Sequence, residues 1–266
     1  MNGIYLKLVA LCFIMLPFAK LGAQCETENT YFQGGELLTY DLYFKYGILY
    51  TKAGHSEMSV TDDTYKGKDA YKLTLTARST GAARSLFSLT DTLSAYITKK
   101  LVPLAYSKDA HEKGDYNTER ATFDYSSGMP KVRNISKRNN KVRYDSTYVS
   151  KTCIYDMVSI VFYARTLNYE SMKKGDRVTV TGLAGRSKTN MNIIYQGIET
   201  VKANDGREYY CIKLSLTVND DAFDNEDEAM KVYFTNDFNR VPVRIDSKLK
   251  VGSTRVILKG YQGLRN

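Results

Sequence analysis

The sequence predicts a mainly β fold: an antiparallel curved sheet, barrel or sandwich carrying one conspicuous α-helix over about residues 152–168. Three observations predict it. Runs of apolar–polar alternation recur along the chain and are separated by short turn signals. Tyrosine dominates the aromatics, with Tyr 22, Phe 10 and Trp 0 among 266 residues. Tyrosine suits half-buried strand positions, where the ring is covered and the hydroxyl stays wet. One stretch alone departs from the period of two, and its apolar spacing is helical.

The first 23 residues read as a secretory signal. Lys7 is the one charge ahead of the apolar run Leu8–Phe18, and small residues follow at Gly22 and Ala23. The run is too short to cross a bilayer as a helix, and cleavage after Ala23 fits the pattern. The mature chain is therefore expected to be exported, periplasmic or outer-membrane-associated, and not membrane-spanning. Residues 24–34 are expected to form a flexible lead-in, and residues 35–266 one β-rich domain. Within the lead-in, Glu28–Gly34 reads ENTYFQG and follows the pattern E-x-x-Y-x-Q-G cut by TEV protease. Thr30 stands where the engineered tag carries Leu, so the segment reads as native.

In the first strand, Leu38, Tyr40, Leu42 and Phe44 share one face, and Thr39, Asp41, Tyr43 and Lys45 the other. Ile48–Val60 continues the pattern around Gly54, and Tyr71–Arg78 repeats it. Further strands are expected at Leu93–Thr98, Ala105–His111, Ala121–Tyr125, Lys131–Ile135 and Lys141–Tyr148. After the helix come Arg177–Gly182, Met191–Ile198, Tyr209–Val218, Lys231–Thr235, Val241–Ser247 and Val251–Lys259. Turn residues such as Gly67, Gly128, Asn139-Asn140 and Asp205-Gly206 punctuate them. The helical stripe is Ile154, Met157, Val158, Val161 and Phe162, with Thr152 or Asp156 as its cap and an end near Asn168. It divides two β halves and is placed to plug a barrel mouth or cross a sheet face.

Formal charge is +9. Losing Lys7 and Lys20 with the signal leaves 9 − 2 = +7. That balance suits anionic partners such as lipid headgroups or acidic glycans, and it equally serves solubility. Nucleic acid is not expected outside the cytoplasm. Cys12 lies in the signal. Of Cys25, Cys153 and Cys211, the pair Cys153–Cys211 is the most plausible bridge, although the apolar surroundings favour two buried thiols. Cys25, just past the signal, is the alternative lipidation site, but Gln24 stands where lipidating enzymes prefer a small residue.

Three blocks carry a family resemblance: GELLTYDLYFKYGILYTKAG (Gly35–Gly54), YDMVSIVFYAR (Tyr155–Arg165) and TNDFNRVPVRIDSKLKVGSTRVILKGYQG (Thr235–Gly263). They resemble an exported-protein family of Bacteroidetes catalogued as domain-of-unknown-function family 3108. The resemblance implies a periplasmic or outer-membrane-associated β protein. It brings no reaction and no catalytic residues.

Catalytic motifs are missing from the sequence. His55 and His111 have no partners at metal-ligand spacing in a helical context, although Asp109, His111 and Glu112 would make a weak cluster. Ser171–Lys174 matches S-x-x-K only in a polar loop. The acidic run Asp220, Asp221, Asp224, Glu226, Asp227 and Glu228 lacks the register of a calcium loop and reads as a solvated hairpin loop. No metal, cofactor or enzymatic activity is expected.

Two binding surfaces remain. The basic hairpin around Asn139-Asn140 places Arg138, Lys141 and Arg143 where they would contact an anion, although edge lysines also block aggregation. An interior cavity for a lipophilic ligand would be lined by Tyr40, Leu42, Phe44, Met157, Val161 and Phe162. The expected function is a non-enzymatic envelope binding or carrier module for a lipophilic or glycan-like ligand. The alternatives are a protein-interaction module and, third, a hydrolase of envelope polymers.

Overall fold

A computed structural model describes residues 25–81, 84, 88–112, 114–217, 229–249 and 252–266. The signal segment, Cys12 and the acidic run 220–228 lie outside the described residues.

The described residues hold one fifteen-stranded sheet. In chain order its strands are β1 (Leu37–Tyr46), β2 (Leu49–Tyr65), β3 (Lys68–Ser79), β4 (Leu89–Thr98), β5 (Pro103–Glu112), β6 (Asp115–Asp124), β7 (Lys131–Arg138) and β8 (Lys141–Val149). After the short β9 (Ile154–Tyr155) and the helix α1 (Ser159–Arg165) come β10 (Arg177–Ala184), β11 (Ser187–Lys202), β12 (Glu208–Thr217), β13 (Met230–Thr235), β14 (Pro242–Lys248) and β15 (Ser253–Gln262). Every expected strand is present. The spatial order is β8 back to β1, then β15 back to β9. Each half is thus a meander, and β1 paired with β15 joins them, with Leu38 opposite Tyr261 and Leu42 opposite Val256. The ladders are antiparallel apart from β9 with β10.

The sheet curls because its ladders are interrupted. Bulges fall between Leu42 and Tyr43, Tyr96 and Ile97, Ser136 and Lys137, and Tyr195 and Gly197. Each adds a residue to one strand and sharpens the local twist. At Gly54 the strands approach so closely that a Cβ would sit 2.0 Å from the carbonyl oxygen of Arg78. The curl brings the two sheet edges together without closing the ladder. Side chains bridge the seam: Lys188 Nζ donates to the carbonyl of Val149 (2.9 Å), and Arg186 Nη2 to that of Arg143 (3.0 Å). The Tyr148 hydroxyl donates to the carbonyl of Arg186.

The helix is shorter than its apolar stripe. Ile154 and Tyr155 join the parallel ladder with β10, so tertiary pairing overrides the local period. Asp156 then sets the start. Its Oδ1 accepts from the amides of Val158 and Ser159 (both 2.9 Å), and the Ser159 hydroxyl donates to Oδ2 (2.7 Å). Thr152 is no cap; its hydroxyl meets that of Thr181. At the far end Thr166 and Tyr169 donate to the carbonyls of Tyr163 and Ala164, so the helix ends at Arg165 and not near Asn168. No described helix is long and apolar enough to cross a bilayer.

Two apolar clusters fill the sheet's concave side, and α1 lies between them. Val158 and Phe162 pack with Leu38, Tyr40, Leu73 and Ile97. Ile160 and Ala164 pack with Val180, Ile193, Leu214 and Phe234.

The described part of the lead-in, residues 25–34, is held to the sheet at two points. Asn29 Oδ1 accepts from the amides of Tyr31 and Phe32, an Asx turn. That turn drives Phe32 into the core at 0% exposure, its ring 4.8 Å from Phe162. Cys25 is bonded to Cys153, with Cα atoms 5.2 Å apart, and Cys211 is a buried free thiol. Both the Cys153–Cys211 pairing and the two-thiol expectation are corrected by this. Spacing in sequence carries no information on which β edge the N-terminal segment reaches.

Candidate functional site

The curl leaves a cleft of about 900 Å³ beside the seam. Strand alternation explains its chemistry. On β5 the inward positions are Tyr106, Lys108, Ala110 and Glu112; on β6 they are Asp115, Asn117, Glu119 and Ala121. On β7 they are Val132, Asn134, Ser136 and Arg138. Each strand is apolar at one end, beneath the helix, and polar at the other. The polar ends form the cleft wall. Met157, Leu183 and Leu93 supply its apolar patches, and the β10–β11 turn with Gly185 and Arg186 closes one side.

Most of the wall's charges are already matched. Arg138 pairs with Asp115 and holds that carboxyl below the usual range. Lys108 lies 3.6 Å from Glu112. Glu119 Oε1 accepts from Asn134 Nδ2 (2.6 Å) and from the Tyr144 hydroxyl (3.2 Å). Asp156 is spent on the helix cap, and burial nonetheless pushes its carboxyl up. Two guanidiniums stand out. Arg143 and Arg186 both line the cleft, and neither has a carboxylate partner among the described residues. Arg186 lies over the Tyr144 ring at 5.9 Å, and its bond to the Arg143 carbonyl fixes the two residues side by side.

Asp91 sits two residues from Leu93 on the same face of β4. Its Oδ1 is buried without a hydrogen-bond partner, and burial pushes its carboxyl up to about 6, against the pull of Lys108.

Of the residues expected from sequence, Arg138, Arg143 and Met157 meet in this cleft. Lys141 stays exposed at the β7–β8 tip, outside the lining. Of the expected interior lining, Tyr40, Val161 and Phe162 share one apolar cluster, and they fill it. Tyr40 is buried and donates to the carbonyl of Pro242 (3.0 Å), and Phe162 is walled in by Phe32. Leu42, Phe44 and Val161 are half-buried. The centre is occupied because the N-terminal segment delivers Phe32 into it, and interiors pack to high density. Sequence reasoning missed Tyr106, Glu119, Tyr144 and Arg186. A usable signal was present: polar residues occupy inward-parity positions on three successive strands.

Elsewhere, Asp109 is held by the Tyr116 hydroxyl and Arg120 (both 2.6 Å), and the His111 ring stacks on Tyr116. No group of three metal-ligating side chains occurs among the described residues.

A family described as a protein of unknown function, DUF3108, matches residues 39–259. No curated protein matches the sequence. Among solved structures, the chain is similar to a β-barrel-like protein of domain-of-unknown-function family DUF1849 from Brucella abortus. That similarity has 9% identity and a TM-score of 0.57, and it covers 86% of this chain and 97% of the other. At that identity it speaks for the curled sheet and for nothing finer. On the family match over most of its length, from β1 to β15, the chain belongs to DUF3108.

Proposed function

We propose that this protein is a non-enzymatic binding module of the cell envelope whose seam cleft receives an anionic, glycan-like ligand. The observation that carries the reading is the pair Arg143 and Arg186, two uncompensated guanidiniums held on one cleft wall beside Tyr144. Guanidinium forks match carboxylate and sulfate geometry, and tyrosines bind sugar faces and hydroxyls. The packed centre disfavours an acyl chain, because Phe32, Phe162 and Leu73 leave no apolar tunnel behind the cleft. Recognition is favoured over reaction because the acids that line the cleft, Glu112, Asp115, Glu119 and Asp156, are committed to neighbours. Export to an oxidising compartment is supported by the Cys25–Cys153 bond, which also occupies the sulfur that lipidation would need.

Calorimetric titration with a uronic-acid oligosaccharide and with its neutral counterpart tests the reading. The acidic ligand is expected to bind and the neutral one to bind weakly, with Arg143→Gln/Arg186→Gln removing the difference. Equal affinity of the double variant and the parent for the acidic ligand overturns it, as does turnover of the ligand.

A further inference from the structure

The hairpin joining β1 and β2 ends in a two-residue turn, Gly47-Ile48, with Tyr46 opposite Leu49. Gly47 has φ 57°, the left-handed value that the first turn position demands. The second position is open to any polar residue, yet it holds Ile48, exposed at 105%. Tyr46, Leu49 and Tyr50 beside it are also at least 47% exposed. Single apolar residues on a surface need no explanation, but four large ones on one tip do. None of them contributes to the core, so folding does not account for them.

We propose that this tip is a membrane-contact loop, which sinks Ile48 and Leu49 into the surface of an anionic lipid bilayer. The arrangement has the parts such a loop requires. Tyr46 and Tyr50 flank the aliphatic pair, as amphipathic rings do at the headgroup level. The Tyr43 and Tyr50 rings stack at 5.3 Å and 5°, which holds the hairpin upright before contact. Cations lie directly behind. Lys45, opposite Tyr50 in the ladder, has no carboxylate partner among the described residues. It shares a groove of about 480 Å³ with Arg244 and Arg255, which compete for the single carboxylate of Asp246 at 2.5 and 2.7 Å. Lys45, Arg244 and Arg255 give the groove a cationic wall that suits phosphate headgroups. The three residues from Lys45 to the turn span about 7–10 Å, the depth at which interfacial segments sit. A protein partner would not require cations at this spacing behind an apolar tip.

The full chain contains Trp 0 and Tyr 22, so Ile48→Trp installs a sole tryptophan at the tip, excited selectively beyond the tyrosine absorption band. Its emission is expected to shift to the blue on adding phosphatidylglycerol–phosphatidylcholine vesicles, and less with phosphatidylcholine alone. A second probe, Phe238→Trp, on a different exposed turn, is expected not to shift. In vesicle co-sedimentation, Ile48→Ser/Leu49→Ser is expected to bind at least about tenfold more weakly, with an unchanged melting temperature because both side chains face solvent. Unshifted emission of the Ile48→Trp protein with both vesicles, or parent-like sedimentation of the double serine variant, overturns the proposal. This outcome is independent of the oligosaccharide titration.

Discussion

The guanidinium of Arg165 grips both carboxylate oxygens of Glu36, at 2.5 and 2.8 Å, and both side chains are out of solvent. Arg165 ends the helix and Glu36 immediately precedes the first strand, so the pair ties together two places far apart in sequence. Its surroundings complete the site: Arg165 also donates to the carbonyl of Asn239 (2.8 Å), and the rings of Phe32 and Phe162 cover it. Removing one partner strands the other charge in the core. Glu36→Leu and Arg165→Met are each expected to cost about 3–5 kcal/mol in urea unfolding. The double variant Glu36→Leu/Arg165→Met is expected to recover most of that loss. Additive losses in the double-mutant cycle would show that the two side chains act separately.

The N-terminal segment follows the same logic. Phe32→Ala is expected to cost about 3–5 kcal/mol, because the cavity lies between packed rings. The same burial protects the ENTYFQG segment. TEV protease is expected to leave the native chain uncut and to cut it only in urea near the unfolding midpoint. Rapid cutting of native protein would mean that Phe32 leaves the core readily.

Cysteine chemistry gives a count. The denatured, unreduced mature chain is expected to take up one alkyl group, and the reduced chain three. In the native state no thiol should react, since Cys211 is buried and burial pushes its thiol up to about 12. Cys25→Ser/Cys153→Ser is expected to lower stability by about 2–5 kcal/mol. Intact mass showing an acylated Cys25 would exclude the bridge.

Asp91 sets a pH dependence with a definite sign. Its carboxyl titrates at 3.8 when unperturbed and at about 6 in the folded chain. The native state therefore holds the proton more tightly than the unfolded one. The stability this group contributes is present at low pH and is lost as pH rises from 3.8 through about 6. Asp91→Asn is expected to be more stable than the parent above that window and to lack this slope. Parallel stability curves for the two proteins between about pH 4 and 7 would place Asp91 in solvent.

The strands were legible in the sequence because alternation is a local property. Leu38, Tyr40 and their neighbours reveal a buried face without reference to anything distant. The cap at Asp156 was legible for the same reason. What the chain by itself determined is therefore the β architecture, the turns and the position of one helix. The tertiary structure decided which residues share a space. It shortened the helix by drawing Ile154 and Tyr155 into a ladder with β10. It filled the expected cavity with Phe32, paired Cys25 with Cys153, and brought Arg186 beside Arg143 across a seam. Each of these joins residues distant in sequence, and their meeting depends on how far the sheet curls. That curl is a sum of small twists and bulges that no short stretch of sequence contains.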